Sequence, residues 1–163
     1  MFVNLHTHSH YSLLDGLSKI DQLIEKAQKE GQKALALTDH GVMYGALEFY
    51  KKCQEAGVKP IIGCEVYLAP RKMVDRVAKV DKDPYHLILL AKNQEGYQNL
   101  MTLVSLAHLK GFYYKPRIDK PTLRKYSQGL IALSACLQGE VPRVALAKGK
   151  SATEKVIREY QKI

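Results

Sequence analysis

Three histidines stand at alternate positions, His6, His8 and His10, in the stretch NLHTHSHYSLLDG. In an extended chain alternate side chains share one face, about 7 Å apart. Two imidazoles so placed can grip one metal ion or two adjacent ones. They can equally be the polar face of an edge strand turned to water. The later apolar runs bear on the choice. KALALTDH ends in Asp39 and His40, KPIIGCEVYLA passes through Cys64 and Glu65, and LIALSAC ends in Cys136. Groups that do chemistry in parallel α/β folds gather outside the carboxyl ends of the strands. His6, His8, His40 and Cys136 are therefore expected to converge, with Glu65 beside them. Mixed imidazole and carboxylate ligands suit Zn²⁺ or Mn²⁺, and a thiolate tilts the choice toward zinc. An HxH pair alone is a weak signal; joined to TDH and a strand-borne glutamate it points to a metal centre.

The neighbouring residues divide by position. His10 lies past the strand, in SHYS, and reads as a group behind the ligands or at the surface. Asp15, in LLDG, is either a turn residue before Gly16 or a carboxylate folding back to the strand end. Asp39, beside His40, is expected to orient a neighbour rather than bind metal. Cys64 should point away from Glu65 into the core, and Cys53 lies on a helix. His86 opens its strand instead of closing it, so position alone leaves it between surface and site. His108, late in a helix, reads as structural.

The elements that must position these groups alternate along the chain. FVNLHT, KALALTDH, KPIIGCEVYLA, HLILLAK and LIALSAC read as five strands. SKIDQLIEKAQKEG reads as a helix capped by Ser18 and stopped by Gly31, with Ile20, Leu23, Ile24 and Ala27 at helical spacing. ALEFYKKCQEAG is a second helix, NQEGYQNLMTLVSLAHLKG a long third begun by Asn93, and TLRKYSQG a short fourth. The last 27 residues read as two helices. PRKMVDRVAKVDKDP is expected to be an exposed loop or hairpin, and FYYKPRIDKP an aromatic, basic connector. Strict βα alternation argues for an α/β fold, a parallel sheet or barrel with helices outside. Five strands do not close an eight-fold barrel of about 250 residues.

Charge is spread unevenly. Residues 1–65 hold 7 Lys and Arg against 8 Asp and Glu, while residues 66–163 hold 18 against 8. The positive half attracts polyanions, nucleic acid above all, unless its lysines serve only solubility. Lys115, Arg117 and Lys120 in YYKPRIDK are candidate phosphate contacts, with Tyr113 or Tyr114 as a stacking surface. A connector packing on neighbouring domains is the plainer reading of the same stretch. No run is apolar enough for a membrane span, and MFVNLHTH lacks the pattern of a signal peptide. Three cysteines without CxxC spacing fit a reducing cytoplasm.

The segments NLHTHSHYSLLDG, ALTDHGVMYGALEFYKKCQEAGVKPIIGCEVYLAP, YHLILLAKNQEGYQNLMTLVSLAH and SACLQGEVPR resemble the polymerase and histidinol phosphatase (PHP) domain. The likeness is to the form found at the N-terminus of the catalytic α subunit of bacterial replicative DNA polymerases, and it covers essentially all 163 residues. It implies a distorted (βα)7 barrel, TIM-like, with up to three zinc or manganese ions at the strand ends. Carried over by motif, the ligands would be His6, His8, Asp15, His40, Glu65, His86 and Cys136. It also implies DNA, the remainder of the polymerase and a proofreading exonuclease subunit as partners, and a cytoplasmic place in DNA replication within a nucleotidyltransferase.

The resemblance implies one of two roles: members with a full ligand set can act as metal-dependent 3′–5′ exonucleases, and members with lost ligands serve as structural supports for the polymerase. A phosphatase for small phosphomonoesters fits the polymerase-like helices less well. The family carries a late Asp-x-His motif, and the last histidine here is His108. The barrel is thus expected to be incomplete, with about five βα units, open along one apolar flank, and the chain to stop before the polymerase palm.

Overall fold

The computed structural model of the chain describes residues 2–13 and 15–163. Met1 of the apolar start and Leu14 of the LLDG turn lie outside it. The elements run α1 (Ile20–Lys29), β1 (Ala34–Leu37), α2 (Ala46–Glu55), β2 (Lys59–Leu68), β3 (Tyr85–Ala91), α3 (Gln94–Leu109), β4 (Arg117–Ile118), α4 (Lys120–Lys125), β5 (Leu130–Leu133) and α5 (Glu140–Tyr160).

Local chemistry accounts for the helices. In α1, Ile20, Ile24 and Ala27 make one buried stripe, three and four residues apart. Its N-cap is Lys19 rather than the expected Ser18. The Gln22 side chain accepts from the Lys19 backbone N–H at 3.0 Å, while the Ser18 carbonyl is turned outward to the His10 N–H at 2.9 Å. Gly31 and Gly57, at φ +67° and +68°, close α1 and α2 in the left-handed conformation. The Asn93 side chain caps α3 by accepting from the Gly96 N–H at 2.9 Å. The two helices expected at the end are joined at Gly149, whose φ of 72° and ψ of −173° break the helical path.

The five strands form one mixed sheet in the order β1-β2-β3-β5, with β4 pairing β2. This corrects the expectation of an all-parallel sheet. β1 pairs β2 in parallel, but β3 runs antiparallel to β2, and β5 antiparallel to β3. The cause is the connection: PRKMVDRVAKVDKDP contains no helix, so the chain returns beside β2 without the crossover that parallel pairing needs. The expected first strand contracts to a bridge between Asn4 and Leu35, parallel to β1. Hydrogen bonds from the Ala36 N–H to the Asn4 carbonyl (2.9 Å) and from the Thr38 N–H to the Thr7 carbonyl (2.8 Å) still hold that segment along β1. β4, two residues long, arises inside the stretch read as a connector.

Alternation along β2 sorts its side chains. Cys64, Val66 and Leu68 join Leu87, Leu89, Leu100, Leu103 and Ile118 in the core under α3. Leu35 and Leu37 of β1 face α1 and α2, packing with Ile20, Phe49 and Cys53. Ala36, Ile88 and Leu90 form a smaller cluster on the other face. Glu65, paired with Ile88, belongs to that face. The flank beyond β5 is open: Ile131 is 48% exposed and no residue of α5 is buried.

Candidate metal centre

Glu65 is the hub. Its carboxylate is fully buried near the carboxyl end of β2. The β1–β2 pairing continues past β1 in the same register, so His40 forms a parallel bridge with Glu65 and the Glu65 N–H donates to the Asp39 carbonyl at 3.1 Å. The N-terminal segment lies on the other side of β1 and brings His6 and His8 to the same rim. His6 Nε2 is 2.5 Å from Glu65 Oε2, His8 Nε2 is 3.2 Å from the same oxygen, and the two Nε2 atoms are 2.9 Å apart. His40 Nδ1 is 3.5 Å from Glu65 Oε1, and His86 Nδ1 is in ion-pair contact with that oxygen. Asp15 folds back to place Oδ2 2.9 Å from His40 Nε2.

Two sets of donors result, His6–His8–Glu65 and His40–Glu65–His86, each with its ligand atoms within 4.8 Å of one another. Glu65 bridges them. Cys136 Sγ is 3.8 Å from His86 Nδ1, and its residue is exposed.

His86 resolves the conflict left by position alone. It begins β3, but β3 runs opposite to β2, so its first residues lie at the carboxyl end of β2. There His86 pairs with Tyr67, one alternate place beyond Glu65. β5 reverses again, which returns Cys136 to the same rim.

The protonation chemistry is ordered. Burial alone would raise the pKa of Glu65; hydrogen bonds from His8 and His86 and the charge of His40 overcome it and hold the carboxyl well below its usual range. Burial opposes a charged His8 ring, yet the Glu65 hydrogen bond and charge prevail and raise its pKa. Burial, aided by neighbouring His8, pushes His40 below the ordinary imidazole value. An anionic carboxylate and a neutral imidazole are the forms that bind a cation. Glu65 Oε1 and His40 Nδ1 are buried without a hydrogen bond of sound geometry. Buried nitrogen and carboxylate donors left without such bonds, within 4.8 Å of one another, fit a divalent metal ion.

A family model described as the PHP domain matches residues 4–163. The chain belongs to the PHP family. This PHP domain is 51% identical over 161 residues to the DNA polymerase III subunit alpha of Treponema pallidum, and 50% identical over 163 residues to that of Borreliella burgdorferi. The matches cover 98% and 99% of the chain, which spans 14% of the length of each of these relatives. Among solved structures, a candidate metal-dependent phosphoesterase from Bifidobacterium adolescentis aligns at TM-score 0.45 and 19% identity, over 64% of this chain and 32% of that one. An amidohydrolase from Chromobacterium violaceum aligns at 0.43 and 17%, over 96% and 54%.

The supports of this PHP centre follow from burial. Asp39 is 1% exposed and binds no histidine ring directly. It accepts from the Ser9 N–H (2.6 Å), the Ser9 hydroxyl (2.9 Å) and the Ser12 hydroxyl (3.1 Å), so it fixes the loop after His8. Ser12 Oγ in turn accepts from the His40 N–H at 3.0 Å. His10 stacks obliquely on Tyr11, with centroids 4.3 Å apart, and stands outside both donor sets. His108 donates Nε2–H to the Gly41 carbonyl at 2.8 Å, a structural tie next to His40. Cys64 is buried as expected, its thiol pushed up by desolvation.

Of the three candidate phosphate contacts, two are corrected. Arg117 is fully buried, and its guanidinium donates to the carbonyls of Gly111, Asp81, Met73 and Asp75 at 2.8–3.1 Å. Lys120 is held by Glu140 and Glu159, each at 2.8 Å. Lys115 is in no salt bridge among the described residues, and its ammonium is 5.4 Å from the Tyr67 ring centroid. Tyr67 was missed: its ring packs against His40 and His86, at 6.1 and 5.2 Å between centroids. Strand alternation from Glu65 was the available signal for it. Ser9 and Ser12 were also missed, and nothing local marks them.

Proposed function

We propose that this chain is the N-terminal part of a PHP domain of a bacterial replicative polymerase α subunit, and that its cluster is a metal-dependent phosphodiesterase site acting as a 3′–5′ exonuclease. The observation that carries the reading is the convergence of His6, His8, His40 and His86 on one buried carboxylate, Glu65. Asp15 and Cys136 complete the proposed ligand set from the rim. A divalent zinc or manganese ion held there would polarise a phosphoryl oxygen and lower the pKa of a bound water.

The chain's own residues hold and orient. Glu65 stays anionic between the two donor sets and supplies an oxygen to each. Asp39, through Ser9 and Ser12, fixes the loop that carries His8 and the backbone of His40. Tyr67 walls the site behind His40 and His86 and keeps water from one side of them. The partners in this reading are DNA, the remainder of the polymerase and a proofreading exonuclease subunit.

The deciding experiment is metal analysis of the full chain beside the His8→Ala/His40→Ala variant, with hydrolysis of a 3′-labelled oligonucleotide measured in parallel. Wild-type protein should carry zinc or manganese and the variant should lose it together with the hydrolysis. Wild-type protein free of both metals, with hydrolysis unchanged in the variant, leaves only a supporting role. That second reading has an observation of its own: an apolar groove of about 640 Å³ between β3, β5 and α5, lined by Leu87, Leu133, Val141 and Ile157, suits packing by further polypeptide.

A further inference from the structure

Beside His86 the rim opens into a cavity of about 560 Å³ that shares His86 and Tyr67 with the cluster. Three cations line it from three parts of the chain: Lys82 from the β2–β3 connection, Lys115 from the segment before β4, and Arg143 from α5. Asp83 is the one carboxylate among the lining residues. Among the described residues none of the three cations is in a salt bridge, whereas Lys52, Arg71 and Lys120 all are. Two are steadied by aromatic faces that leave their charge unpaired: Lys115 over Tyr67 at 5.4 Å and Arg143 over Tyr85 at 4.8 Å.

The cavity also has an exposed ring. Tyr114 is 68% exposed and sits at φ 59°, the left-handed region that non-glycine residues avoid. A hydrogen bond from the Tyr113 N–H to the Lys115 carbonyl, 3.0 Å, closes the backbone around it. Tyr113 supports the ring edge-on at 4.7 Å between centroids. Free cations beside a supported, solvent-facing aromatic are the combination that holds single-stranded nucleic acid, phosphates on the charges and a base on the ring. A small phosphate ester would use the charges and leave the ring idle.

We propose that Lys82, Lys115, Arg143 and Tyr114 form a seat for single-stranded nucleic acid that holds the nucleotide next to the one at the metal centre. This rests on the phosphodiesterase reading above. The seat positions substrate and takes no part in the bond-breaking step.

The test uses the full chain and a fluorescein-labelled single-stranded dT12 oligonucleotide, with EDTA present so that nothing is cleaved. Anisotropy is followed from about 50 to 200 mM salt, the range over which phosphate contacts respond. K82Q/K115Q/R143Q should lose at least about tenfold in affinity and flatten the plot of log affinity against log salt by about two units, about 0.7 for each lost contact. Tyr114→Ala should lose about tenfold with the slope unchanged. The charge-conserving K82R/K115R/R143K set should bind as wild type.

Unchanged affinity and slope in the neutral set would overturn the seat. So would equal losses in the neutral and charge-conserving sets. Full affinity in Tyr114→Ala, with displacement of the oligonucleotide by millimolar inorganic phosphate, would reduce it to a bare phosphate site and overturn the nucleic-acid assignment. Zinc content of the same protein preparations, measured before EDTA is added, judges the metal centre separately, since the binding assay itself runs without metal.

Discussion

His86 meets Glu65 from a strand that runs the opposite way. It is the second residue of β3, yet its Nδ1 contacts Glu65 Oε1, because the antiparallel turn of the chain places the beginning of β3 against the end of β2. His40 reaches the same oxygen from the parallel side, at 3.5 Å. One carboxylate therefore gathers imidazoles delivered by both kinds of pairing, and it is the point at which the site is most vulnerable.

Replacing it tests the centre directly. Glu65→Gln keeps the shape and removes the charge. If the donors bind zinc, adding the metal at about 100 times its dissociation constant stabilises wild-type protein by about 2.7 kcal/mol. Thermal unfolding should show that rise in Tm for wild type and little or none for Glu65→Gln. An equal rise in both would place the metal elsewhere.

Asp39 acts one layer back. Asp39→Asn leaves every proposed ligand present but weakens the acceptors that hold Ser9 and Ser12. Groups that orient ligands in this way are worth about 10–100-fold in metal affinity. Competition with a zinc chelator should report a loss in that range, with the secondary structure seen by circular dichroism intact.

Arg117 is a structural keystone. Arg117→Leu strands the carbonyls of Gly111, Asp81, Met73 and Asp75, and so frees the connection that leads into His86. Charged hydrogen bonds contribute about 1.5–3 kcal/mol each, not additively, so a loss of at least about 3 kcal/mol is expected in urea unfolding. Arg117→Lys should recover only a small part, because an ammonium has three donors on one nitrogen and cannot serve all four carbonyls.

The acid limb of stability should involve Asp119. Burial raises its pKa, but the Thr122 side chain and the backbone N–H groups of Met73 and Thr122 outweigh this and lower it. A depressed folded pKa means the contribution is complete above the unfolded value, about 3.9, and fades as pH falls through the lower folded value. Urea midpoints should therefore drop more steeply below about pH 4 in wild type than in Asp119→Asn. Parallel curves for the two proteins would exclude Asp119 as a source of the acid sensitivity.

The core under α3 should behave as a packed one. Leu103 is fully buried among Leu100, Leu87 and Ile118. Leu103→Ala should cost about 2–5 kcal/mol, the range for leucine truncations that leave a cavity. Equilibrium unfolding measures it, and a cost below about 1 kcal/mol would mean that the site collapses freely.

Much of this molecule is written in short-range pattern. The stripe Ile20, Ile24, Ala27 makes α1, Gly31 and Gly57 end their helices, and Asn93 starts α3, because spacing, capping and φ are properties of a few neighbouring residues. That His40 follows β1 and that Glu65 lies on β2 was legible for the same reason, whereas the strand expected to carry His6 and His8 is only a bridge at Asn4. What the chain did not disclose was direction and pairing. Whether β3 lies parallel or antiparallel to β2 depends on the path of the 69–84 connection, which has no crossover helix and is held by Arg117, 36 to 44 residues further on. Position in sequence therefore left His86 undecided, and only the tertiary fold put it on Glu65. The same long-range packing buried Arg117 and paired Lys120 with Glu140 and Glu159, so one charge leaves the surface and another is neutralised there. A strand's pattern says which face is buried; which neighbour it meets is decided by the free energy of the whole core.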